Sequence, residues 1–387
     1  MTKALSDQTM FSQIQHLLHR YFLPLLLTSY AIAGLFPGAG LAIRDVSLGR
    51  VAFLGETTKI GLPAAMLSFL LLSAGLGVKT EHLRSLGKRP VTLIAGLLAN
   101  LLIPIAYIAV VSQVMRFWHD LDEVQNILVG LALVASMPIA GSSTAWTQNE
   151  NGDLALSLGL VLGSTILSPI TTPLAMHGVG FLAQGDYSED LHELASGGTG
   201  GFLIIYVLMP SLLGIAIRLI LGARRVDPLK PAIKLLNSIV LLVLCYSNAA
   251  VSLPRAFADR DYDFLAVIFV IVFLLCVIAF GAGLVIARIA RVDPSQRTAL
   301  MFGLGMNNNG GGLVLASMAL ADHPLVMLPI IFYNLIQHLV AGGAATLSRT
   351  RAAINAQRTD RVDTSDSILV ETGDVKPSNK RHKVLEI

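Results

Sequence analysis

Two stretches of the sequence place helix breakers and polar side chains inside otherwise apolar segments. The first runs from Ala135 to Trp146 (ASMPIAGSSTAW), and the second runs from Gly303 to Gly312 (GLGMNNNGGG). Proline removes a backbone donor, and glycine costs about 1 kcal/mol relative to alanine in a helix interior. Each stretch therefore predicts a helix that is interrupted at its middle. Carbonyls freed at such a break can coordinate a cation, and the N-terminus of the following half-helix favours an anion.

Three consecutive asparagines, Asn307, Asn308 and Asn309, stand at the centre of the second stretch. Small residues alone would let helices pack closely, but asparagines pack poorly and are costly in lipid. We therefore interpret the two matched breaks as a transport site. Gln337 and His338 add hydrogen-bonding groups in the last apolar segment, where His338 is the titratable side chain expected at depth.

The composition indicates that these stretches lie in a membrane. Hydrophobic residues make up 54% of the 387 residues and charged residues 14%, whereas a soluble domain carries about a quarter charged residues. This excludes an ordinary soluble enzyme, and a net charge of +3 gives no indication of nucleic-acid binding. Cys245 and Cys276 lie in separate apolar segments, which excludes a disulfide framework and a CxxC metal site.

The apolar segments predict an all-α integral membrane protein with ten transmembrane helices. A bilayer core about 30 Å thick is crossed by about 20 helical residues, and ten windows of roughly that length lie between the charge clusters. Their approximate limits are 21–43, 60–78, 90–114, 125–149, 153–178, 199–222, 231–253, 262–287, 297–320 and 324–347. Two halves of five spans insert with opposite orientation, so we expect two inverted repeats, at 21–178 and 199–348. An N-terminal segment, 1–20, precedes them and a tail, 349–387, follows.

Basic residues in alternate loops set the predicted orientation. The loops after spans two, six and eight are rich in lysine and arginine, whereas loop 179–198 contains acidic residues and no lysine or arginine. The basic loops are therefore expected to be cytoplasmic, which places both termini on the cytoplasmic side of the plasma (inner) membrane. The polar tail cannot bury enough apolar area to fold and is expected to be disordered.

With both broken segments in place, the sequence resembles the bile acid:sodium symporter family. The likeness covers roughly 20–345 and is densest from Pro138 to Pro169 and from Gly305 to Asn308. Shorter matching pieces are Ser73-Ala-Gly-Leu-Gly, Lys88-Arg-Pro90 and Ile103-Pro104. The resemblance implies a panel domain and a core domain, with broken helices four and nine crossing near the binding sites. It also implies secondary active symport of an organic anion with sodium by alternating access, the anion being bile-salt-like, pantoate-like or a keto acid.

The resemblance also implies which residues bind the ions and the substrate. The first sodium site would use the hydroxyls of Ser143, Thr144 and Ser157, because sodium, like calcium and magnesium, prefers oxygen ligands. The second would use backbone oxygens of Leu304 and Met306 together with the Asn307 side chain. The residues expected at the substrate are Asn307, Asn308, Asn309, Gln337 and His338.

Three positions depart from the family pattern. Gly303 stands where the family has an acidic residue, Val161 where it has a threonine, and Ala99 where it has a glutamine, with Asn100 next to it. Because a missing carboxylate removes most of the charge selectivity of a cation site, three couplings stay open. The chain could move one sodium held by neutral oxygens, it could use protons, or it could be uncoupled.

Other functions are weighed against symport. An arsenite-type efflux carrier of the same superfamily would need a cysteine in the fourth span, which has none, and a non-transporting receptor on this scaffold is a further alternative. HExxH, GxSxG and GxxxxGK[ST] motifs are absent from the sequence, so a membrane enzyme is disfavoured. The expected partners are a small organic anion and membrane lipid, and the oligomeric state is open.

Two carboxylates lie between spans four and five. Asp153 is expected to cap the next helix and Glu150 to lie at the cytoplasmic surface.

Overall fold

The computed structural model describes residues 21–53, 56–78, 90–259 and 261–347. The predictions for 1–20, for the basic loop after span two and for the tail 349–387 lie outside these residues. Among the described residues, six continuous helices are long and apolar enough to cross a membrane. They are Pro90–Phe117, Leu154–Gly180, Thr199–Leu221, Ala223–Ala258, Tyr262–Ile289 and Pro324–Leu347. The architecture is that of an all-α membrane protein, as predicted, with one β-hairpin added.

The elements follow one another along the chain with short connections. The first half contains α1 (Phe22–Leu35), α2 (Gly38–Asp45), β1 (Ser47–Phe53), β2 (Glu56–Gly61), α3 (Leu62–Gly77), α4 (Pro90–Val114), α5 (Leu121–Ser136), α6 (Ser142–Asn149), α7 (Leu154–Gly180) and α8 (Asp186–Glu193). The second half contains α9 (Thr199–Leu203), α10 (Met209–Leu221), α11 (Ala223–Val226), α12 (Lys230–Asp259), α13 (Tyr262–Ile289), α14 (Pro294–Gly305), α15 (Asn309–Ala319) and α16 (327–347). Up to Val340 these elements form one compact unit, and 341–347 continue α16.

The first apolar segment differs from the single span expected over 21–43. Helices α1 and α2 meet at an angle of 92°, so the segment is a bent pair. The bend follows from Pro37, which has no backbone N–H to continue α1 and which instead stands at the start of α2. Gly40 of α2 then lies so close to α12 that a Cβ atom there would be 2.6 Å from the Cβ of Ala250.

An antiparallel hairpin between α2 and α3 was not expected from the sequence. Strand β1 pairs with β2, and the register shifts between Ser47 and Gly49. Gly49 has a φ angle of 139°, a conformation that favours glycine at such an irregularity. The following helix, α3, has 16 residues, fewer than the about 20 that a straight span needs.

Both predicted interruptions are present. Helix α5 ends at Ser136 and α6 begins at Ser142, while α14 ends at Gly305 and α15 begins at Asn309. An apolar cluster lies between the break after α5, helix α7 and helices α13 and α14. Its buried members are Ile139, Leu156, Leu160, Ala282, Ala287, Ala299, Leu300 and Leu304. The two broken helix pairs are thus held against a packed core.

Candidate transport site

The two breaks cross and pair with each other through the backbone. Ile139 and Asn307 form an antiparallel bridge. The amide of Ala140 donates to the carbonyl of Met306 at 2.9 Å, and the amide of Asn308 donates to the carbonyl of Pro138 at 2.8 Å. Chain segments far apart in the sequence therefore meet as two short extended strands in the middle of the helical core.

The groups freed by the first break are satisfied by side chains from elsewhere. In a continuous helix the carbonyl of Val134 would accept from residue 138, but that residue is a proline without an N–H. The side-chain amide of Asn307 donates to this carbonyl instead, at 2.9 Å. Ser164 accepts from the amide of Ile139 at 3.0 Å, and Thr172 donates to the carbonyl of Ser136. Side chains thus satisfy three backbone groups of the break that helical hydrogen bonds leave unpaired.

The second break is tied to α16. The amide of Asn307 donates to Oε1 of Gln337 at 3.1 Å. Tyr333, which is fully buried, donates its hydroxyl to the carbonyl of Gly305 at 3.3 Å. Helix α16 therefore supplies both an acceptor and a donor that replace helical hydrogen bonds lost between α14 and α15.

Two amide oxygens at the crossing have no hydrogen-bond partner. The nitrogens of the Asn307 and Asn309 side chains donate to carbonyls, of Val134 and of Asn307 itself, which fixes the orientation of both amides. Their oxygens are buried and accept from no donor in the described part of the chain. Free oxygens attract a cation or a donor and repel an anion. Asn307 and Asn309 thus offer acceptors here, which suits a cation better than a carboxylate.

Asn308 has a different role from its two neighbours. Its side-chain oxygen accepts from the amide of Gly311 at 3.2 Å and caps the N-terminus of α15. Its side chain is half-buried, whereas Asn307 and Asn309 are buried. Asn308 is therefore the asparagine of the three that stands at a helix N-terminus, where an anion is favoured.

Of the three hydroxyl residues expected at a sodium site, two are in contact and the third precedes one of them in the sequence. The hydroxyl of Ser157 on α7 donates to that of Thr144 on α6 at 3.1 Å. Ser143 and Ser157 are fully buried, and the Ser143 hydroxyl has no partner among the described residues. On α6 it is Thr144 that contacts Ser157 of α7, and Ser143, the preceding residue of the helix, points about 100° away from it. The arrangement offers a small cation neutral oxygen ligands and no charge.

The backbone positions expected at a second sodium site have an apolar environment. Leu304 belongs to the buried apolar cluster, and Ala99 and Val161 pack against it. A Cβ atom at Gly303 would lie 2.8 Å from Cδ1 of Leu160. The Leu160 side chain therefore occupies the space into which a side chain at position 303 would extend. All three departures from the family pattern adjoin this one cluster.

The sequence is similar to one protein family and to two bacterial proteins. Residues 64–255 match the model of the Sodium Bile acid symporter family. The chain belongs to this family. It is 26% identical over 214 residues to the uncharacterized protein YbaS of Bacillus subtilis (strain 168), an alignment covering 55% of this chain and 66% of YbaS. It is 24% identical over 280 residues to the uncharacterized sodium-dependent transporter YocS of the same organism, covering 72% of this chain and 80% of YocS.

Family membership fixes the class of the molecule. Together with the apolar helices it makes the chain a multi-pass membrane protein of a transporter family. The chain spans just under two thirds of the length of YbaS. The name of YocS describes that relative as a sodium-dependent transporter.

Gln337 and His338 face different neighbours, although they are adjacent in sequence. Gln337 contacts the crossing through Asn307, as described above. The ring of His338 instead lies edge-on to Phe22 of α1, with 5.6 Å between the ring centroids. Successive helical residues point about 100° apart, so only one of the pair can face the second break. In this structure that residue is Gln337.

Sequence reasoning missed Asn334. Its amide nitrogen donates to the Tyr30 hydroxyl at 2.8 Å and to the Cys245 sulfur at 3.5 Å, and its oxygen accepts from Gln337 at 3.3 Å. Asn334 therefore links α1 and α12 to the crossing. Its position three residues before Gln337, on the same face of α16, is the signal that could have identified it.

A pocket adjoins the first break on the side of α4. Its empty volume is about 320 Å³, including space open to solvent, and Asn100, Met137, Pro138 and Ser164 are among its lining residues. Asn100 is buried with its side-chain oxygen unpartnered, whereas Ala99 packs on the apolar cluster. Asn100 thus faces the pocket, whereas Ala99, which stands where the family has a glutamine, faces the apolar cluster.

The two carboxylates between α6 and α7 lie away from the crossing. Asp153 accepts from the amides of Ala155 and Leu156 at 2.9 and 3.0 Å, which confirms it as the N-cap of α7. Glu150 is half-buried just after the end of α6. Among the described residues, no group of three or more His, Cys, Asp or Glu side chains could hold a metal ion. A cation at the crossing would accordingly be held by neutral oxygens.

Proposed function

We propose that the chain is a secondary active transporter that couples movement of an organic anion to that of sodium by alternating access. The observation that supports this most strongly is the crossing itself, where buried oxygens of Asn307, Asn309 and Ser143 have no partner within the described ranges. An unsatisfied buried polar group costs about 1–3 kcal/mol. Three of them close to two broken helices favour a site that is completed by a ligand.

The ten-span arrangement is part of the proposal. The six long helices, the bent pair α1 and α2, the short α3 and the two broken pairs account for ten crossings in two inverted repeats, 21–178 and 199–348. Panel and core domains would move relative to each other to alternate access. Both termini would be cytoplasmic in the plasma (inner) membrane, as the basic loops indicate.

We propose one sodium ion, held by Ser143, Thr144 and Ser157. Their hydroxyls are hard oxygen ligands, and Ser143 has a free oxygen to offer. The oxygens expected at a second sodium site fit an ion less well. The carbonyl of Met306 already accepts from Ala140, and Leu304 lies in an apolar cluster without a carboxylate. Removing a cation from water without a counter-charge is costly, so the apolar cluster disfavours a second ion.

The anion would be bound at the N-terminus of α15. Asn308 caps this helix, and the glycines that follow it place no side chain between a ligand and the backbone once the site opens, although Gly311 and Gly312 are buried in the present conformation. A helix N-terminus attracts a carboxylate without a fixed lysine or arginine. Bile-salt-like anions, pantoate-like anions and keto acids all carry a group of this kind.

Thermal-shift measurements on purified protein test this proposal. Organic anions of the three classes are added in sodium and, separately, in potassium. We expect at least one anion to raise the melting temperature, and more so in sodium than in potassium. Asn308→Ala should remove the anion-dependent shift while the protein stays folded. Equal shifts in both salts would contradict sodium coupling, and an unchanged shift in Asn308→Ala would remove Asn308 from the site.

A further inference from the structure

One face of α12 lies against the crossing. Leu244 is close enough to α15 that a Cβ atom on Gly310 would be 3.7 Å from its Cδ2. Positions 237, 241, 244, 248 and 252 recur at intervals of three and four residues and therefore share the face of α12 that carries Leu244. We call Asn237, Leu241, Leu244, Asn248 and Ser252 the α12 stripe.

The polar members of the α12 stripe have side-chain atoms that lack partners among the described residues. Asn248 and Ser252 are fully buried. In the part of the chain that the structure describes, neither the nitrogen nor the oxygen of the Asn248 amide has a hydrogen-bond partner, and the same holds for the Ser252 hydroxyl and the Asn237 oxygen. Each such group costs about 1–3 kcal/mol. Polar side chains inside a membrane protein are functional candidates by default.

Other polar side chains of α12 are satisfied within the helix. Ser247 donates to the carbonyl of Leu244 at 3.1 Å, and Ser238 donates to the carbonyl of Lys234 at 3.1 Å. Lack of a partner is thus not a general property of α12. It is concentrated on the α12 stripe, which continues in both directions from the Leu244 contact.

A chain of hydrogen bonds connects the edge of the α12 stripe to the second break. Cys245, next to Leu244, accepts from Asn334, which accepts from Gln337, which accepts from the amide of Asn307. The crossing and this edge of α12 are therefore mechanically linked. Asn248, one turn further along α12 from Leu244, lies just beyond this linked region.

We propose that Asn237, Asn248 and Ser252 line the path of the transported anion, and that Asn248 selects for a hydroxyl or amide group on it. This inference rests on the proposed transport function. A carboxamide has an NH2 donor group and a carbonyl acceptor side by side, so that a hydroxyl or an amide of the ligand can pair with both. In the present conformation Leu244, Asn248 and Ser252 are buried and the other two residues of the α12 stripe are half-buried. Separation of α12 from α15 exposes the α12 stripe.

Cysteine labelling tests whether the α12 stripe lines a path, independently of the substrate. In a chain with Cys245→Ser and Cys276→Ala, the variants Asn237→Cys, Asn248→Cys and Ser252→Cys are treated in membrane vesicles with a water-soluble methanethiosulfonate. Ala249→Cys, fully buried outside the α12 stripe, is the matched control. We expect labelling at the three stripe positions and none at Ala249→Cys. Equal labelling at all four positions, or none at the stripe, overturns the inference while leaving the transport proposal intact.

A ligand pair tests the selectivity of Asn248. The probes are 2,4-dihydroxy-3,3-dimethylbutanoate and 3,3-dimethylbutanoate, which share a carbon skeleton and differ in the hydroxyls. We expect Asn248→Leu to weaken binding of the hydroxylated anion by about tenfold and to leave the other unchanged, as loss of one hydrogen bond implies. If Asn248→Leu still prefers the hydroxylated anion as strongly as the wild type does, the role of Asn248 is overturned. Absence of binding of either anion to the wild type overturns the selectivity assigned to Asn248, while transport of the other anion classes is decided separately by the thermal-shift measurements above.

Discussion

Asn307 donates its side-chain amide to the carbonyl of Val134 across the two broken helices, at 2.9 Å. This carbonyl lacks its helical partner because residue 138, four positions further on, is a proline. A polar residue of one break therefore repairs the backbone of the other, and the crossing stabilises the fold as well as offering a site. Its remaining free group, the Asn307 oxygen, is the one available to a ligand.

Asn307→Asp should destabilise the protein even though the side chain keeps its size. A carboxylate has no donor for the Val134 carbonyl, which would then be buried and unpaired at a cost of about 1–3 kcal/mol. We expect Asn307→Asp and Asn307→Ala both to lower the melting temperature in detergent. A melting temperature equal to that of the wild type in both variants would show that this hydrogen bond does not support the crossing.

Ser143→Ala should separate ion binding from stability. The Ser143 hydroxyl is buried and unpartnered, so its removal leaves no other group unpaired and should not lower the melting temperature in potassium. The additional stabilisation by sodium should be lost. Thr147→Val is the matched control, because the Thr147 hydroxyl donates to the carbonyl of Ser143 within α6 and takes no part in the hydroxyl set. Retention of the sodium effect in Ser143→Ala would rule out this ligand.

The sequence predicts the breaks well because their causes are local. Pro138 and the glycines from 303 to 312 interrupt helices through their own backbone chemistry, which does not depend on the residues that pack around them. The partners that satisfy the breaks could not be predicted in the same way. The Asn307 amide and the Val134 carbonyl are 173 residues apart, and no local pattern specifies that contact.

Facing directions were equally hard to predict. Gln337 and His338 are both polar residues of one apolar helix, and only tertiary packing decides that Gln337 contacts Asn307 while His338 packs on Phe22. The bend at Pro37 and the hairpin 47–61 were missed for a related reason. A count of apolar residues records the length of a segment and gives no information on its direction.

Gly303→Asp tests whether Leu160 has replaced an acidic side chain. Gly303→Asp alone should be destabilising, because its carboxylate would be buried without a counter-charge beside Leu160 of the apolar cluster, whose Cδ1 would lie 2.8 Å from the new Cβ atom. Leu160→Ala alone should cost about 2–5 kcal/mol through the cavity that it leaves. The double variant should be more stable than the sum of the two effects predicts, by about 0.5–3 kcal/mol, and should respond more strongly to sodium than the wild type. If the change in unfolding free energy of the double variant equals the sum of the two single changes, Leu160 does not occupy the place of a side chain at position 303.

Glu123, in the first turn of α5, gives the stability a pH dependence. Burial, with a smaller contribution from the neighbouring Asp261, raises the pKa of Glu123 from 4.5 to about 7. Between these values the folded state binds more protons than the unfolded state. The stabilisation is therefore complete below about pH 4.5 and is lost as the pH rises through 7.

Glu123→Gln should flatten this dependence. Glutamine retains an oxygen that can accept from Trp118, whose indole N–H lies 2.6 Å from Oε2 of Glu123. We expect the difference in unfolding free energy between pH 5 and pH 8 to be smaller in the variant than in the wild type. An identical pH profile would show that Glu123 titrates with its ordinary pKa.

Uptake by proteoliposomes tests the central claim most directly. Purified protein is reconstituted, and accumulation of an anion identified by thermal shift is measured with an inward sodium gradient and with an equal potassium gradient. We predict concentrative uptake in sodium with a Hill coefficient near 1, little uptake in potassium, and loss of the sodium dependence in Ser143→Ala. Two results would contradict coupling to one sodium ion at the crossing. One is uptake that is the same in both salts, and the other is an uptake rate that rises with sodium concentration with a Hill coefficient near 2.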